Sequence, residues 1–473
     1  MRRILTSVTA VLLTAVTAVS VPAAAREAGA QDRPPAATGR TAEPAQGWKL
    51  ADRIRQRVRP PQIPRRTFTI TDFGADPTGA RESTAAFRKA INTAAGRGGG
   101  RVVVPAGTFR TGAIHLRSNI DLHLAEGSVV KFSQDPADYL PAVFTRWEGV
   151  ELYNYSPFVY ARKARNVAIT GSGTLDGQGD ADHWWNWAGA TQAADRAELF
   201  RMGESGVPVK QRRFGGGHYL RPNFVQFYES ENILVQGVRI VGSPMWMVHP
   251  VLSRNVLVDR VTLDSHGPNN DGVNPESSRD VVIRDSDFDN GDDCIAIKSG
   301  RNNDGRRVNV PSENIVVDGN TMRDGHGGVV IGSEMSGSVR NVFAEDNVMN
   351  SPNLDRALRI KTNSVRGGVV EQVYFRRNTV LEVGQEVIWI NFFYEEGDAG
   401  AFTPTVRDVH VEDLTSNGGK YALYLRGYER SPITNVTITD ATFDDVETPM
   451  LLEHVQGLRL TNVLINGVPQ DNN

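Results

Sequence analysis

Residues 232–259 read NILVQGVRIVGSPMWMVHPVLSRNVLVD, and this stretch contains the pattern that decides the fold. It opens on a polar residue followed by apolar ones, and the same phrase returns as NVLV at Asn255. From Asn232 onward the phrase recurs at intervals of 23 to 36 residues. Its starting positions are Asn166, Asn232, Asn255, Asp280, Asn314, Asn341, Gln372, Asp408 and Asn435. Since no repeat holds a helix-length apolar stripe, this period predicts a solenoid of β coils rather than a helical repeat.

A second phrase recurs about half a period later, as in CIAIKS at Cys294 and ALRIKT at Ala357. Alternation along a strand predicts that its central apolar residues point inward and their neighbours outward. The inward residues are Ile297, Ile331, Ile360, Ile390 and Leu425. The outward rows are Lys298, Gly332, Lys361, Asn391 and Arg426, and Ala296, Val330, Arg359, Trp389 and Tyr424. Cations and aromatic rings in such rows predict an elongated binding face, although an ordinary charged surface and loop packing are the simpler alternatives.

One amphipathic helix precedes the repeat. It begins at Ser83 or Thr84, carries an apolar face through Phe87 and Ile91, and ends before Gly96. The predicted fold class is therefore all-β, a single-domain β-helix over residues 48–473 with a short N-terminal capping helix.

The N-terminal residues have a different composition. Residues 1–25 combine Met-Arg-Arg, an uncharged apolar run and three alanines, which predicts a secretory signal peptide and a secreted protein. The alternative, a membrane anchor, is disfavoured because the run is short and contains threonines and serines. Residues 26–47 are poor in large apolar residues and are expected to form a disordered linker. Cys294 is the single cysteine, so no intramolecular disulfide can form.

The formal net charge of −3 gives no overall basic field. We therefore expect no nucleic-acid partner, and a polyanionic ligand would need a local basic cluster. Nothing after the first 25 residues resembles a membrane-spanning helix, so no membrane partner is expected. We expect a monomer.

The segment DNGDDCIAIKSG, residues 289–300, places Asp292 beside Asp293. Asp271 precedes Asp292 by 21 residues, and His326 follows Asp293 by 33. Because parallel coils lie roughly 4.8 Å apart, all four belong on one face. Crowded carboxylates raise the pKa of at least one of them, which separates an acid from a base. Inverting cleavage of a glycosidic bond uses such a pair, typically about 6.5 to 9.5 Å apart.

Simpler roles are open for each of these residues. Aspartates commonly cap turns or bind Ca²⁺, and a histidine between glycines is often a turn residue. A turn at Gly291 is expected to expose both Asp292 and Asp293. Arg359 and Lys361 leave the same side of one strand, and such a pair fits a substrate carboxylate.

Four motifs in this order resemble the polygalacturonase family, the glycoside hydrolases of family 28. They are NNDG at Asn269–Gly272, GDD at Gly291–Asp293, GHG at Gly325–Gly327 and RIK at Arg359–Lys361. The similarity extends from about Phe68 to Gly467. It implies a right-handed parallel β-helix that hydrolyses α-1,4-galacturonosyl links of pectin and galacturonan oligomers, with inversion and without a metal or cofactor.

The resemblance also implies roles for the motif residues. Asp292 is expected to be the general acid, Asp271 and Asp293 to hold and deprotonate the water, and His326 to support the acid. Arg359 and Lys361 are expected to clamp the substrate carboxylate on the leaving side. The other candidate substrate-binding residues are Asn269, Lys298, Trp389, Asn391, Tyr424 and Arg426.

Two positions depart from the family pattern. Asn270 replaces a usual threonine, which bears on fine positioning only. Asn274 stands where a second acid often follows, so the pH optimum is expected to shift if that acid tunes the water-holding pair. The segments 181–222 and 301–313 are long enough to close one end of a groove, which favours exo action.

Three alternatives have discriminating features. A rhamnogalacturonan hydrolase of the same family would leave the cations of RIK unpaired, so RIK favours polygalacturonate. A pectate lyase would need Ca²⁺ and would give an unsaturated product. A non-catalytic polysaccharide-binding β-helix would have no use for three aspartates in register.

Overall fold

The computed structural model describes residues 44–472, which belong to one compact unit. The predicted signal peptide, residues 1–25, and most of the predicted linker lie outside the described residues. The described helices are α1 Pro44–Arg57, α2 Thr84–Gly96, α3 Ala190–Glu204 and α4 Asn302–Val308. None of them is long and apolar enough to cross a membrane.

Strands recur along the whole described chain, and most of them are short. Before α3 they are β1 Thr67–Thr69, β2 Thr78–Glu82, β3 Gly100–Val104, β4 Gly107–Thr111, β5 Ile114–His115, β6 Ile120–Leu124, β7 Ser128–Phe132, β8 Val143–Trp147, β9 Val150–Asn154, β10 Val159–Arg162, β11 Arg165–Gly171 and β12 Thr174–Asp176. Between α3 and α4 they are β13 Val225–Tyr228, β14 Glu231–Gln236, β15 Arg239–Val241, β16 Val248–Val251, β17 Arg254–Asp259, β18 Thr262–Ser265, β19 Arg279–Arg284, β20 Asp287–Asn290 and β21 Ile295–Ile297.

After α4 the strands continue to the end of the described chain. They are β22 Ser312–Asp318, β23 Thr321–Asp324, β24 Val329–Gly332, β25 Val339–Glu345, β26 Val348–Asn350, β27 Leu358–Lys361, β28 Val369–Arg376, β29 Thr379–Glu382, β30 Glu386–Asn391, β31 Thr405–Arg426, β32 Ile433–Glu453, β33 Val455–Gln456, β34 Arg459–Ile465 and β35 Val468–Pro469.

The strands wind into coils with three parallel faces, so the predicted right-handed parallel β-helix is confirmed. The first face includes β11, β14, β17, β19, β22, β25 and β28. The second includes β12, β15, β18, β20, β23, β26 and β29. The third includes β10, β13, β16, β21, β24, β27 and β30. Long strands β31 and β32 continue all three faces in the last coils.

The phrase that begins with asparagine marks the entry to the first face. All nine predicted starting positions have a positive φ, for example 58° at Asn255 and 60° at Asn314. Asparagine and aspartate tolerate this left-handed conformation better than most residues with a side chain. The side chains also bond between coils, as from Asn255 Nδ2 to Asn232 Oδ1 at 2.8 Å. The repeat is therefore a ladder of bulged turns as well as a hydrophobic period.

The predicted rows of the third face are confirmed. Arg359 pairs with Val330 and Trp389, and Lys361 pairs with Gly332 and Asn391 in adjacent strands. Trp389 and Asn391 pair in turn with Tyr424 and Arg426. The five predicted inward residues, Ile297, Ile331, Ile360, Ile390 and Leu425, are all 0% exposed. Stacking of such residues in successive coils provides a continuous apolar core.

Helix α2 confirms the predicted capping helix, whose residues Phe87 and Ile91 are buried against the first coils. The other three helices were not predicted. Helix α1 begins at Pro44, so the predicted boundary of the linker at residue 47 lies too late. Its residues Trp48 and Ile54 are buried on the outside of the first face, against Phe343 and its neighbours. This helix is stabilised by that contact with the sheet, which a local composition count does not register.

Candidate active site

The loops that lead from the second face to the third carry three of the four predicted catalytic motifs. They open onto a pocket of about 180 Å³. The predicted site residues that line it are Asn269, Asp271, Asp292, Asp293, Lys298, His326 and Lys361. Residues from five sequence segments are thus brought into one cavity by the coil repeat.

The three aspartates form the centre of the pocket. One carboxylate oxygen of each lies within 4.8 Å of the others. This separation is shorter than the 6.5 to 9.5 Å usual for inverting glycosidases. Gly291 allows the turn before Asp292 to lie against Gly267, because a Cβ at residue 291 would be 2.6 Å from the Gly267 carbonyl oxygen.

The expectation that Gly291 exposes both adjacent aspartates is wrong for Asp293. Its side chain is 1% exposed, whereas that of Asp292 is 16% exposed. Burial of Asp293 is offset by two cations, Arg359 Nη1 at 3.0 Å and Lys361 Nζ at 2.7 Å. A buried carboxylate is tolerated when it is paired in this way. The two cations predicted to clamp a substrate carboxylate therefore hold Asp293 in the structure.

Asp271 lies deeper in the pocket and is 2% exposed. Its Oδ2 accepts a hydrogen bond of 2.7 Å from Asn274 Nδ2 and lies 3.6 Å from Lys298 Nζ. Burial and the nearby charge of Asp292 raise the pKa of Asp271 to about 8. The raised pKa favours the protonated form of Asp271 at neutral pH.

Asp292 has the opposite character. Burial opposes its ionisation, but the hydrogen bond from His326 and the charge of Lys361 lower its pKa below the usual value. The bond joins His326 Nδ1 to Asp292 Oδ1 at 3.0 Å, and the backbone N–H of Asp293 donates to the same oxygen. The same bond raises the pKa of His326. These opposite shifts favour protonation of Asp271 over Asp292, whereas the resemblance assigns the acid role to Asp292.

Lys298 lines the pocket as predicted, but it is held by protein groups. Its Nζ lies 3.1 Å from Glu334 Oε2 and 4.6 Å from the centre of the Trp246 ring. Its charge balances Asp271 on one side and Glu334 on the other. The structure therefore makes Lys298 a link between the aspartate cluster and the pocket wall.

The remaining predicted binding residues lie in the same rows but do not line the pocket. Trp389 is 6% exposed, because the guanidinium groups of Arg356 and Arg359 lie 5.1 and 5.3 Å from its ring centre. Tyr424 stacks on Trp389, with 6.2 Å between ring centres. Asn391 Oδ1 accepts a hydrogen bond of 2.8 Å from the Phe393 amide, and Arg426 forms an ion pair of 2.6 Å with Glu453.

Seven pocket residues were not predicted as site residues. They are Glu148, Arg196, Trp246, Ser333, Glu334, Tyr394 and Glu395. Ser333 and Glu334 directly follow β24, so the coil register was a usable signal for them. Glu148 lies in the turn between β8 and β9, and Arg196 lies on α3, both outside the repeat. Their positions have no periodic signal in the sequence.

A buried polar network fixes the β8–β9 hairpin over the third face. Arg146 is fully buried, and its Nη1 lies 3.3 Å from Glu276 Oε1. The other oxygen of Glu276 lies 2.8 Å from His249 Nε2. If the hairpin moved, these buried charges would lose their partners, at a high cost in free energy. The network therefore favours a single position of the hairpin. The hairpin in turn places Glu148 at the pocket.

Helix α3 closes the same side of the pocket. Asp195 on this helix accepts hydrogen bonds of 2.7 Å each from His218 Nδ1 and the Tyr219 amide. Gln192 Oε1 accepts a hydrogen bond of 3.4 Å from Arg221. The same Arg221 donates a bond of 2.6 Å to Asn269 Oδ1, which leaves the Asn269 amide as a donor toward the pocket.

Comparisons with known proteins place this geometry in a family. The family model described as "Glycosyl hydrolases family 28" matches residues 215–456, and "Rhamnogalacturonase A/epimerase, pectate lyase-like" matches residues 67–131. A probable polygalacturonase of Vitis vinifera is 30% identical over 393 residues, 79% of this chain and 73% of that protein. An exo-poly-alpha-D-galacturonosidase of Dickeya chrysanthemi is 26% identical over 392 residues, 74% of this chain and 63% of that protein.

A solved structure agrees with these sequence relatives. The crystal structure of a hyperthermoactive exopolygalacturonase from Thermotoga maritima is 47% identical, with a TM-score of 0.86. The match covers 89% of this chain and 96% of that chain. With the family model, the sequence relatives and the shared fold in agreement, the chain belongs to the glycosyl hydrolases of family 28.

Proposed function

We propose that this protein is a polygalacturonase that hydrolyses α-1,4-galacturonosyl bonds in pectin and galacturonan oligomers. The observation that carries the proposal is the cluster of Asp271, Asp292 and Asp293, whose oxygens lie within 4.8 Å beside the cations of RIK. Relatives named for polygalacturonase activity cover most of the chain. A cleft with both paired carboxylates and cations suits a substrate that is a polyanion.

Asp292 is the proposed general acid. Its Oδ1 is occupied by His326 and the Asp293 amide, and its Oδ2 has no hydrogen bond among residues 44–472. That oxygen is thus free to meet the leaving oxygen of the substrate. Asp271 and Asp293 are the proposed pair that holds the attacking water and removes its proton.

Substrate binding provides a route by which Asp292 can gain the proton that it needs as the general acid. A galacturonate carboxylate near Asp292 adds negative charge and displaces water, and both effects favour the protonated form of Asp292. We propose that the proton held by Asp271 then passes to Asp292 through the shared water. Asp271 becomes a base in the same step, so one transfer prepares both partners.

Lys361 and Arg359 are the proposed ligands of the substrate carboxylate on the leaving side. Lys361 lines the pocket, and both cations bind Asp293. A substrate carboxylate would share these cations with Asp293 rather than find them unpaired. The ammonium group of Lys361 has three donors, so it can serve both carboxylates.

Exo action is the proposed mode. We propose that Arg196 of α3 and Glu148 of the β8–β9 turn close the pocket on the side away from Arg359 and Lys361, because both residues also border the cavity under α3. A chain that enters from the leaving side therefore meets a wall just beyond the aspartates. The long segment 181–222, which includes α3, contributes Arg196 to this wall, whereas the segment 301–313 supplies none of the residues that line the pocket.

A defined galacturonate oligomer tests the proposal. The full chain is incubated with a galacturonate hexamer, and the first products are followed by chromatography and by proton NMR. We expect shortening from one end, chelator-resistant activity and a first product of inverted anomeric configuration. A retained anomer would exclude inversion, which matters because the carboxylates lie closer than usual. Products of mid-chain cleavage would exclude exo action.

The alternatives give different results in the same experiment. A pectate lyase would lose activity with a chelator and would form an ultraviolet-absorbing, unsaturated product. A rhamnogalacturonan hydrolase would leave the hexamer intact and cleave the rhamnogalacturonan backbone. A non-catalytic binding protein would bind the hexamer without shortening it.

We also propose that the protein is exported, because residues 1–25 have the composition of a signal peptide. Expression in a bacterial host followed by mass spectrometry of the medium or periplasm tests this. A mature N-terminus near residue 26 supports export, and a full-length chain confined to the cytoplasm contradicts it.

A further inference from the structure

Two cavities meet at the closed side of the site. The aspartate pocket has a volume of about 180 Å³, and an adjoining cavity under α3 has a volume of about 490 Å³. Glu148, Arg196 and Asn269 line both cavities and so mark their common border. The second cavity is otherwise lined by α3 and the residue just before it, including Ala193 and Phe200.

An ion pair crosses this border. Arg196 Nε lies 3.1 Å from Glu148 Oε2, so α3 is joined to the β8–β9 turn. On its other side Arg196 Nη2 lies 4.0 Å from Glu395 Oε1, and its guanidinium lies 4.7 Å from the centre of the Phe200 ring. The Glu148 side chain is only 9% exposed. The Arg196 side chain therefore extends from helix α3 to two acidic residues across the border. We call the ion pair of Arg196 with Glu148 the Arg196–Glu148 bar.

We propose that the Arg196–Glu148 bar sets the length of the released product. This inference rests on the proposed exo-polygalacturonase function. The cations of RIK bind on the leaving side, so the chain end points toward Asn269 and α3. The bar stops that end at the aspartate pocket, and one terminal galacturonate is released in each cleavage.

The bar also separates two volumes. Without the bar the pocket would be continuous with a cavity of more than twice its volume, which gives room for a further sugar.

The structure also indicates that removal of Arg196 leaves α3 in place. Leu199 on the same helix is 0% exposed, and Asp195 and Gln192 keep their bonds to residues 218–221. Glu148 retains Arg301, whose Nη1 lies 3.8 Å from Glu148 Oε2. The Arg196→Ala variant is therefore expected to fold.

The test compares first products from a galacturonate hexamer. Wild type should release the monomer, and Arg196→Ala should raise the share of dimer among the first products by about tenfold, which corresponds to about 1.4 kcal/mol. Arg201→Ala is the matched control, because Arg201 lies on the same helix, is 60% exposed and pairs with Glu198 outside both cavities. Its products should match those of wild type.

A second variant tests the role of the cavity itself. Ala193 is exposed and lines the second cavity, so Ala193→Trp fills that space. In the double variant Arg196→Ala, Ala193→Trp the products should return to the monomer. Circular dichroism and thermal unfolding establish that each variant is folded.

Several results would overturn the inference. They are dimer release by wild type, an unchanged product pattern in a folded Arg196→Ala variant, and persistent dimer in the double variant. If Arg196→Ala fails to fold, Arg196→Gln replaces it, with the same prediction for dimer. A wild-type protein that does not cleave the hexamer at all refutes the proposed function instead, so the two failures are distinguishable.

Discussion

Asn274 donates a hydrogen bond of 2.7 Å to Asp271, from Nδ2 to Oδ2. This asparagine stands where the family resemblance leads one to expect a second acid. Its own Oδ1 is buried and has no hydrogen-bond partner among the described residues. A neutral amide at this position keeps the charge of the aspartate cluster lower than an acid would. The pH dependence of catalysis is therefore expected to reflect residue 274.

The first prediction concerns the alkaline limb of the pH profile. In wild type, kcat/KM should fall as the pH rises through about 8, because Asp271 loses the proton that the cluster needs. Asn274→Asp adds a carboxylate beside Asp271 and should move this limb to higher pH by about one unit. The measurement is kcat/KM from pH 4 to pH 10. Asn309→Asp, an exposed position at the end of α4, should leave the limb unchanged.

A limb that stays in place or moves to lower pH in Asn274→Asp would contradict the link between residue 274 and the retained proton. The cluster titrates as a coupled set, so the limb belongs to the group of aspartates rather than to one residue.

The second prediction concerns stability. The pKa of Asp271 is raised to about 8 in the folded protein, against about 3.9 for an unfolded aspartate. Between these values the folded state holds a proton that the unfolded state lacks, so the free energy of unfolding falls as the pH rises. The slope contributed by this group is about 1.4 kcal/mol per pH unit. Asp271→Asn removes it.

Denaturant unfolding at pH 5, 6 and 7 measures the effect. The stability of Asp271→Asn relative to wild type should increase steadily across this interval. A constant difference between the two proteins would show that Asp271 is already ionised at pH 5.

The fold could be predicted in detail from residues whose spacing repeats. Ile297, Ile331 and Ile360 face the core and Arg359 and Lys361 face outward, as period-2 alternation requires. The same register brought Asp271, Asp292 and His326 together, because residues one coil apart become neighbours in space. Helix α1 escaped prediction because its stability comes from Trp48 and Ile54 on the outside of the first face.

The partners inside the site were less predictable. Sequence spacing places Arg359 near Asp293. It does not show that the guanidinium is paired with the Asp293 carboxylate before any substrate binds. Trp389 lies in the predicted row, yet two arginines cover its ring. Glu148 and Arg196 come from segments without a repeat, so their meeting depends on how the hairpin and α3 pack. Such contacts follow from tertiary structure and have no local signal.

The third prediction tests the proton donor. Asp292→Asn should lower kcat roughly 10²- to 10⁴-fold, the usual contribution of general acid catalysis. Binding of the galacturonate hexamer should remain, because the cations of the pocket are unchanged. Asp287→Asn is the matched control, since Asp287 lies in β20, the strand just before Asp292, is 43% exposed and pairs with Arg323.

The measurement is steady-state turnover together with calorimetric binding of the hexamer. Near-normal turnover of a folded Asp292→Asn variant would remove Asp292 from the reaction. The proton on Asp271 would then make Asp271 the next candidate for the acid.

The last prediction separates the two roles of the RIK cations. Lys361 Nζ lies 2.7 Å from Asp293 Oδ2 and also lines the pocket. If it binds the substrate carboxylate, Lys361→Met should raise KM for galacturonate oligomers by about 10- to 100-fold, since a charged hydrogen bond contributes roughly 1.5 to 3 kcal/mol. A methyl-esterified oligomer lacks that charge, so the ratio of variant KM to wild-type KM should approach one with it. Lys420→Met, at an exposed position, is the control. The alternative is that Lys361 only holds Asp293 in position. In that case Lys361→Met would lower kcat with both substrates and leave KM constant, because the carboxylate that holds the water would be misplaced even in the free enzyme.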